Sequence, residues 1–346
     1  MFRRNVSLFI VSMLVFLLAA CGSSPQQGST ETSQAPNNNT SQPAQPAADK
    51  KEEKKFVIGT SVPSLEFTFF VAAQKAWEEA AKELDVGAPF YNGENNQAKQ
   101  NKDIEDMVVK KVDAIVVIPI TTEGVIPAIR YANENGIPVF TVDRSITSGE
   151  AEIVAHIGTN HEEMGENAAK LFLRGLEEKY PDVKEYKIAE LLGTPGSSAA
   201  IERGKGIHNI LEKDPRIKFV ASLNGEFQST LATTVTENIL TANPELHGII
   251  AHNDMMIEGA LQAATTAGRN KDLIMVGMDG QISTAEKIKS GEIYGTFLQL
   301  PSMLGDGMKA AIKHLNGEKV DENVWVPTEL IDKANVEDMI SQQKVW

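Results

Sequence analysis

Four apolar, strand-forming runs in this sequence end in side chains that hydrogen-bond. VFTV ends in Asp143 and Arg144, GIIAH in Asn253 and Asp254, LIMVGM in Asp279 and Gly280, and YGTFLQ in Gln299. A carboxylate accepts from neighbouring hydroxyls, a guanidinium donates through a fixed fork, and an amide does both. Such a mixture suits a buried neutral ligand rich in hydroxyl groups. Each position also has a plainer reading. Asp143-Arg144 alone reads as a solvated turn. Asn253 or Asp254 could cap the helix MMIEGALQAATTAG, Asp279-Gly280 could be a turn, and Arg203 in SSAAIERGKG could be a solvated helix residue. A turn-only account has to be invoked four times, once per strand. A crevice beyond the carboxyl ends of the strands explains all four at once.

Aromatic side chains accompany these polar ends. EFTFFVAAQ places Phe67, Phe69 and Phe70 where the first strand meets its helix, and NGEFQSTLA places Phe227 at a similar start in the second half. Core packing is one reading of each. The other is an apolar wall for the C–H face of a sugar ring, with Asp, Arg, Asn and Gln on its hydroxyls.

Other chemistries lack their residues. GTPGSSAA has no lysine and is not a P-loop. GDGMKA resembles a loose dinucleotide fingerprint, but it follows QLPSML inside a helical pattern and reads as close helix packing. HEEMG has no histidine four residues after His161, no G-x-S-x-G occurs, and the six histidines show no ligand spacing. His156, in IVAHIG, reads as structural. No catalytic residue, metal or cofactor is expected.

The elements that must position these residues follow from periodicity. FVIGTSV, AIVVIP, IPVFTV, YKIAELL, IKFVASL, HGIIAHN, LIMVGMD and YGTFLQL are Val/Ile-rich and mostly lack polar alternation, as in parallel strands covered on both faces. Between them run helical patterns such as FFVAAQKAWEEAAKELD, with Trp77 in the core, and TNHEEMGENAAKLFLRGLEEK, opened by Asn160 or Thr159 as cap with Glu163 or Glu162 three residues on. Alternating strand and helix, repeated about eight times, predicts an α/β fold of two doubly wound parallel sheets.

The bulk numbers bound the rest. At 346 residues two domains are expected. The formal charge is −14, and a chain starting at residue 21 carries 31 bases against 47 acids, or −16, which argues against nucleic acid as a partner. Cys21 is the one cysteine, so there is no disulfide framework. It follows a basic start and a 16-residue uncharged run, short for a spanning helix and built like a signal peptide over residues 1–20. The ending LAAC resembles the bacterial lipobox, in which the cysteine thiol is acylated. Residues 21–54, poor in apolar side chains and closed by DKKEEKK, read as a disordered tether. From Cys21 to Phe56 its reach is about 30 Å as a coil and about 115 Å stretched.

FFVAAQKAW, PVFTVDR, GSSAAIERGKG, NILTANPELHGIIAHNDMMIEGAL, VGMDG and FLQLP fall in the order and spacing of the type I periplasmic sugar-binding proteins, which this chain resembles over nearly all of residues 56–330. The resemblance implies two lobes joined by a hinge of three crossings near residues 159, 299 and 326. The N-terminal lobe would be residues 55–159 plus 300–325, and the C-terminal lobe 160–299 plus 326–346. It implies that Phe69 and Phe70 sandwich a sugar and that Asp143 and Arg144 bind its hydroxyls. Arg203, Phe227, Asn253 and Asp279 would close from the other lobe, and Gln299 would sit by the hinge. The family's ribose-binding members carry asparagine where this chain has Phe67 and Ile118, which implies a ligand with one less polar edge than ribose. The implied protein is a monomer. It is anchored outside the cytoplasm by its N-terminal lipid and delivers a sugar or polyol to an ABC permease with its ATPase. A sensor module presenting a sugar to a receptor kinase fits the same residues. A repressor's ligand domain does not, because of the export signal and the missing helix-turn-helix, and a hydrolase is more distant.

Overall fold

A computed structural model describes residues 55–346 except Ser148. The expected signal peptide (residues 1–20), the acylated Cys21 and the whole of the tether (residues 21–54) lie outside the described residues.

Strand and helix alternate along the chain. The first part runs β1 (Ile58–Val62), α1 (Thr68–Glu83), β2 (Phe90–Asn92), α2 (Gln97–Val109), β3 (Ala114–Val117), α3 (Ile126–Glu134), β4 (Val139–Val142) and β5 (Ala155–Gly158). The second part runs α4 (His161–Lys179), β6 (Tyr186–Leu192), α5 (Ser198–Leu211), β7 (Ile217–Asn224), α6 (Ser229–Ala242), β8 (Gly248–Ala251), α7 (Asp254–Thr266), β9 (Ile274–Val276), α8 (Ile282–Ser290) and β10 (Gly295–Leu298). The chain closes with α9 (Met303–Leu315), β11 (Asn323–Trp325), β12 (Glu329–Asp332) and α10 (Val336–Ser341).

Among the described residues two six-stranded sheets form, in the orders β11-β5-β4-β3-β1-β2 and β12-β10-β9-β8-β6-β7. All neighbours are parallel except β10 and β12, which run antiparallel. The chain passes between the sheets three times: from β5 to α4, from β10 to α9, and from β11 to β12. Every residue of β1, β3, β4 and β8 is buried. Helices cover both faces, so these strands carry no polar alternation.

All eight apolar runs contain a strand. The sequence reading missed β2, β5, β11 and β12. These are three or four residues long, and β11 is exposed throughout. Such short, partly polar stretches have no period to detect. Trp77 is fully buried and Asn160 caps α4 by accepting from Glu163 N at 3.1 Å, both as expected. GDGMKA lies inside α9, where a Cβ on Gly305 would sit 3.2 Å from the carbonyl of Ala76 on α1. Those glycines serve helix packing. His156 is a β5 residue whose ring nitrogen meets Thr141 Oγ1 at 3.0 Å.

Candidate functional site

The polar strand ends converge. Asp143 and Arg144 follow β4, Asn253 follows β8, Asp279 follows β9 and Gln299 follows β10, all at carboxyl ends. Both sheets place their topological switch, β3-β1-β2 and β8-β6-β7, toward this crevice, where an open α/β sheet binds ligands. Together with Phe67, Phe69, Phe70, Ala199, Arg203 and Phe227, these residues line a small cleft with a cavity volume of about 30 Å³. Small-molecule sites usually hold ~300–1,000 Å³, so in this form the side chains nearly fill the cleft and a sugar ring needs them to part.

None of the polar residues is a surface turn. Asp143, Arg144, Arg203, Asn253, Asp279 and Gln299 are all 5% exposed or less. The solvated readings of Asp143-Arg144 and of Arg203 therefore fail. Asn253 has two roles, because its Oδ1 also accepts from Met256 N at 2.9 Å and caps α7. Asp254 is structural: its carboxylate accepts from Gly280 N and Gln281 N at 2.9 Å and from Thr296 Oγ1 at 2.6 Å.

A closed ring of hydrogen bonds links the strand ends. Gln299 Nε2 donates to Asp143 Oδ1 at 2.5 Å, and Gln299 Oε1 accepts from Arg203 Nη2. Arg203 Nε donates to His161 Nδ1 at 3.3 Å, and His161 Nε2 donates to the Asp143 carbonyl at 2.9 Å. A carbonyl only accepts and Nε of arginine only donates, so this pattern puts the His161 proton on Nε2. Arg203 also donates to the His252 carbonyl and lies 3.6 Å from Asp279 Oδ1. Two glycines let Arg203 reach His161. A Cβ on Gly165 of α4 would lie 2.3 Å from the Arg203 carbonyl, and one on Gly206 of α5 would lie 2.1 Å from the Glu162 carbonyl.

Arg144 occupies the aromatic side. Its guanidinium stands 5.5 Å from the Phe70 ring centre and 5.3 Å from that of Phe227, a cation held by two π faces. Nη1 donates to the Ile120 carbonyl at 3.2 Å, whereas Nε is buried with no hydrogen-bond partner. A buried donor left unpaired costs ~1–3 kcal/mol, so this atom is ready for an acceptor.

Burial sets the charges. It pushes Arg144 down to about 10. It pushes Asp279 well above the usual carboxylate range, although Arg203 opposes it. Burial also acts to raise Asp143, but His161, Arg144 and Arg203 outweigh it and hold that carboxyl low. Asp143, Phe227 and Asp279 have φ of 58°, 62° and 148°. Non-glycine residues rarely adopt such values, which persist where surrounding contacts over-determine them.

The two sides of the cleft touch. Thr68 Oγ1 donates to Gln281 Oε1 at 3.0 Å, Ser145 N to Ser198 Oγ at 2.9 Å, and Thr122 N to the Gly196 carbonyl at 2.9 Å. The structure is thus a closed form.

Of the residues singled out in the sequence, Ile118 does not reach the cleft. It is wholly buried in the core, with its amide on the Ser61 carbonyl and its own carbonyl accepting from Gln100 Nε2. Phe67 does line the cleft, 5.9 Å from Phe70 in an edge-to-face pair, while Glu66 is exposed. Two residues escaped the sequence reading. His161 was weighed only as half of a zinc motif, yet it directly follows the cap at the first crossing. Trp346, far from the other site residues in sequence, packs edge-to-face on Phe69 at 5.5 Å, and nothing local announces this. Among the described residues no three His, Cys, Asp or Glu converge to hold a metal, and no helix is long and apolar enough to cross a membrane.

Known proteins share this architecture. The sequence profile described as periplasmic binding protein domain matches residues 58–319. The ribose import binding protein of Bacillus subtilis (strain 168) is 34% identical over 329 residues, covering 95% of this chain and 98% of its own. A Mycobacterium smegmatis protein solved in complex with beta-D-fucofuranose superposes with a TM-score of 0.79 at 26% identity, over 84% of this chain and 95% of that one. The fructose binding periplasmic domain of a hybrid two component system gives 0.78 at 25% identity, over 84% and 94%. With this profile match, this relative and this fold, the chain belongs to the type I periplasmic sugar-binding proteins, a family of substrate-binding proteins and not of enzymes.

Proposed function

We propose that this protein captures one monosaccharide or sugar-like polyol outside the cytoplasm and delivers it to an ABC permease with its ATPase. One observation carries the reading. Hydrogen-bonding side chains from both sheets and four phenyl rings converge on a single small closed cleft. In this reading Phe69, Phe70 and Phe227 flank the sugar ring. Asp143 and Arg144 take hydroxyls from the first lobe, Arg203, Asn253 and Asp279 from the second, and Gln299 sits by the hinge. The lobes comprise residues 55–159 plus 300–325 and 160–299 plus 326–346, and sugar shifts them from open to closed. Phe67 sets the preference: an apolar wall suits a deoxy or bare C–H edge better than a hydroxyl. Cys21 is acylated and tethers the monomeric domain to the membrane.

Similarity to a ribose import protein over almost the full length of both chains supports uptake. A second reading, a module presenting a sugar to a membrane receptor kinase, draws on the neighbour taken from a two component system. A thermal-shift panel of pentoses, hexoses, deoxy sugars and polyols tests the binding claim. A rise in melting temperature with one subset is expected, and no rise with any sugar sinks it. Uptake of the labelled hit by cells, lost on deleting this gene, separates transport from sensing.

A further inference from the structure

We infer that Trp346 is a positioning residue of the binding cleft, acting through Asp279, Gln299 and Phe69. The inference rests on the ligand roles proposed above for those three residues.

Trp346 is knitted to the second sheet at the strand ends. Its indole Nε1 donates to the carbonyls of both Asp279 and Gln299, each at 2.9 Å. Its backbone carbonyl accepts from Ile282 N at 2.7 Å, an α8 amide with no partner inside its own helix. Its amide reaches the Gly280 carbonyl at 3.4 Å. The segment it grips is the unusual one. Asp279 and Gly280 have φ of 148° and 81°. The Asp279 amide donates to the Phe297 carbonyl at 2.8 Å, its carbonyl accepts from Gln299 N at 2.9 Å, and Asp254 accepts from the Gly280 and Gln281 amides. A residue held in such a conformation needs its surroundings to hold it there. The indole adds a second donor to the Asp279 carbonyl and ties it to that of Gln299.

The same ring faces the first-sheet side. It meets Phe69 edge-to-face, with centroids 5.5 Å apart and planes at 76°. Phe69 in turn meets Phe70 at 5.4 Å, and Phe70 carries Arg144. Trp346 therefore touches an aromatic wall of one lobe while fixing two polar groups of the other. Next to it, Thr68 bonds Gln281 across the same boundary. The indole thus supports the geometry of Asp279 and Gln299, and it favours the closed form in which Phe69 reaches it.

Two substitutions separate these effects. Trp346→Phe keeps a ring against Phe69 but removes the N–H that holds the two carbonyls. Trp346→Ala removes both. Calorimetry uses whichever of D-ribose, 2-deoxy-D-ribose, L-arabinose, D-fucose, D-allose, D-fructose and myo-inositol binds the unmodified protein most tightly. Trp346→Phe is expected to weaken binding by roughly tenfold, with a larger loss for Trp346→Ala. The deciding readout is a double-mutant cycle with Asp279→Asn. If Trp346 acts through Asp279, Asp279→Asn costs severalfold less affinity in the Trp346→Phe background than in the unmodified protein. Equal costs in the two backgrounds, or unchanged affinity of Trp346→Phe, overturn the inference and leave the sugar-binding reading standing. If Asp279→Asn has no effect in the unmodified protein, the assignment of Asp279 as a ligand residue fails, and this inference fails with it.

Discussion

The side-chain amide of Gln299 donates to Asp143 Oδ1 at 2.5 Å, joining the carboxyl end of β10 in one sheet to that of β4 in the other. These two polar groups of the cleft thus satisfy one another across the boundary in this closed form. A hydroxylated ligand has to replace that bond as it enters. Of the two side-chain bonds Gln299 makes, the one to Asp143 crosses the boundary and the one to Arg203 holds the amide in place for it. Gln299→Leu should shift the unliganded protein toward an open form, seen by scattering as a larger radius of gyration. An unchanged radius would show that closure does not depend on this amide.

Asp143 bears on affinity more than on the fold. Asn tolerates left-handed backbone, so Asp143→Asn keeps the φ of 58° while replacing one carboxylate oxygen by a donor. A hydroxyl that donated to that oxygen then loses its acceptor, at ~1–3 kcal/mol. Affinity for the preferred sugar should fall by about tenfold or more, while the unliganded protein still folds. Unchanged affinity by calorimetry would remove Asp143 from the binding set.

Phe67 should tune which sugar binds. It lines the cleft and Ile118 does not, so a single substitution suffices. Phe67→Asn should improve binding of ribose relative to 2-deoxy-D-ribose. The idea is lost if the unmodified protein already binds ribose more tightly than the deoxy sugar.

A pH effect on stability belongs to the far side of the second sheet. His208 Nε2 meets Glu190 Oε2 at 3.0 Å, and its Nδ1 meets Glu212 Oε1 at 2.7 Å. The bond to buried Glu190, against the effect of burial and with help from Glu212, raises His208 to about 9. A raised histidine contributes stability that is complete below about pH 6.5 and is lost as pH rises through about 9. The melting temperature should therefore decline between these values, and His208→Gln should flatten that decline. Identical pH profiles for the two proteins would contradict the pairing.

Cys21 governs attachment. Cys21→Ala should abolish incorporation of labelled fatty acid and release the protein from membranes. Labelled, membrane-bound Cys21→Ala protein would refute acylation at this residue.

The strands that carry the site were legible because burial on both faces leaves continuous apolar runs such as VFTV and GIIA, and a polar residue at the end of such a run stands out. Short edge strands were not legible, since NVW and ELID have too few residues for a period and pair at the margins of their sheets. Asp143, Arg144 and Arg203 could be shortlisted from residue type, but their burial depends on the facing lobe and cannot be read locally. His161 and Trp346 act through contacts between distant segments, to Asp143 and Arg203 in one case and to Phe69 and Asp279 in the other. Ile118 lies in the core of this closed form, since a position next to a strand end can face the core as readily as the crevice.

The crystal structure of the unmodified protein with its tightest-binding monosaccharide tests the central claim most directly. The account predicts one sugar ring in the cleft, flanked by Phe69, Phe70 and Phe227, with hydroxyls on Asp143, Arg144, Arg203, Asn253 and Asp279 and its least polar edge on Phe67. A sugar bound elsewhere on the protein, with this cleft still closed by the Gln299–Asp143 bond, would contradict it.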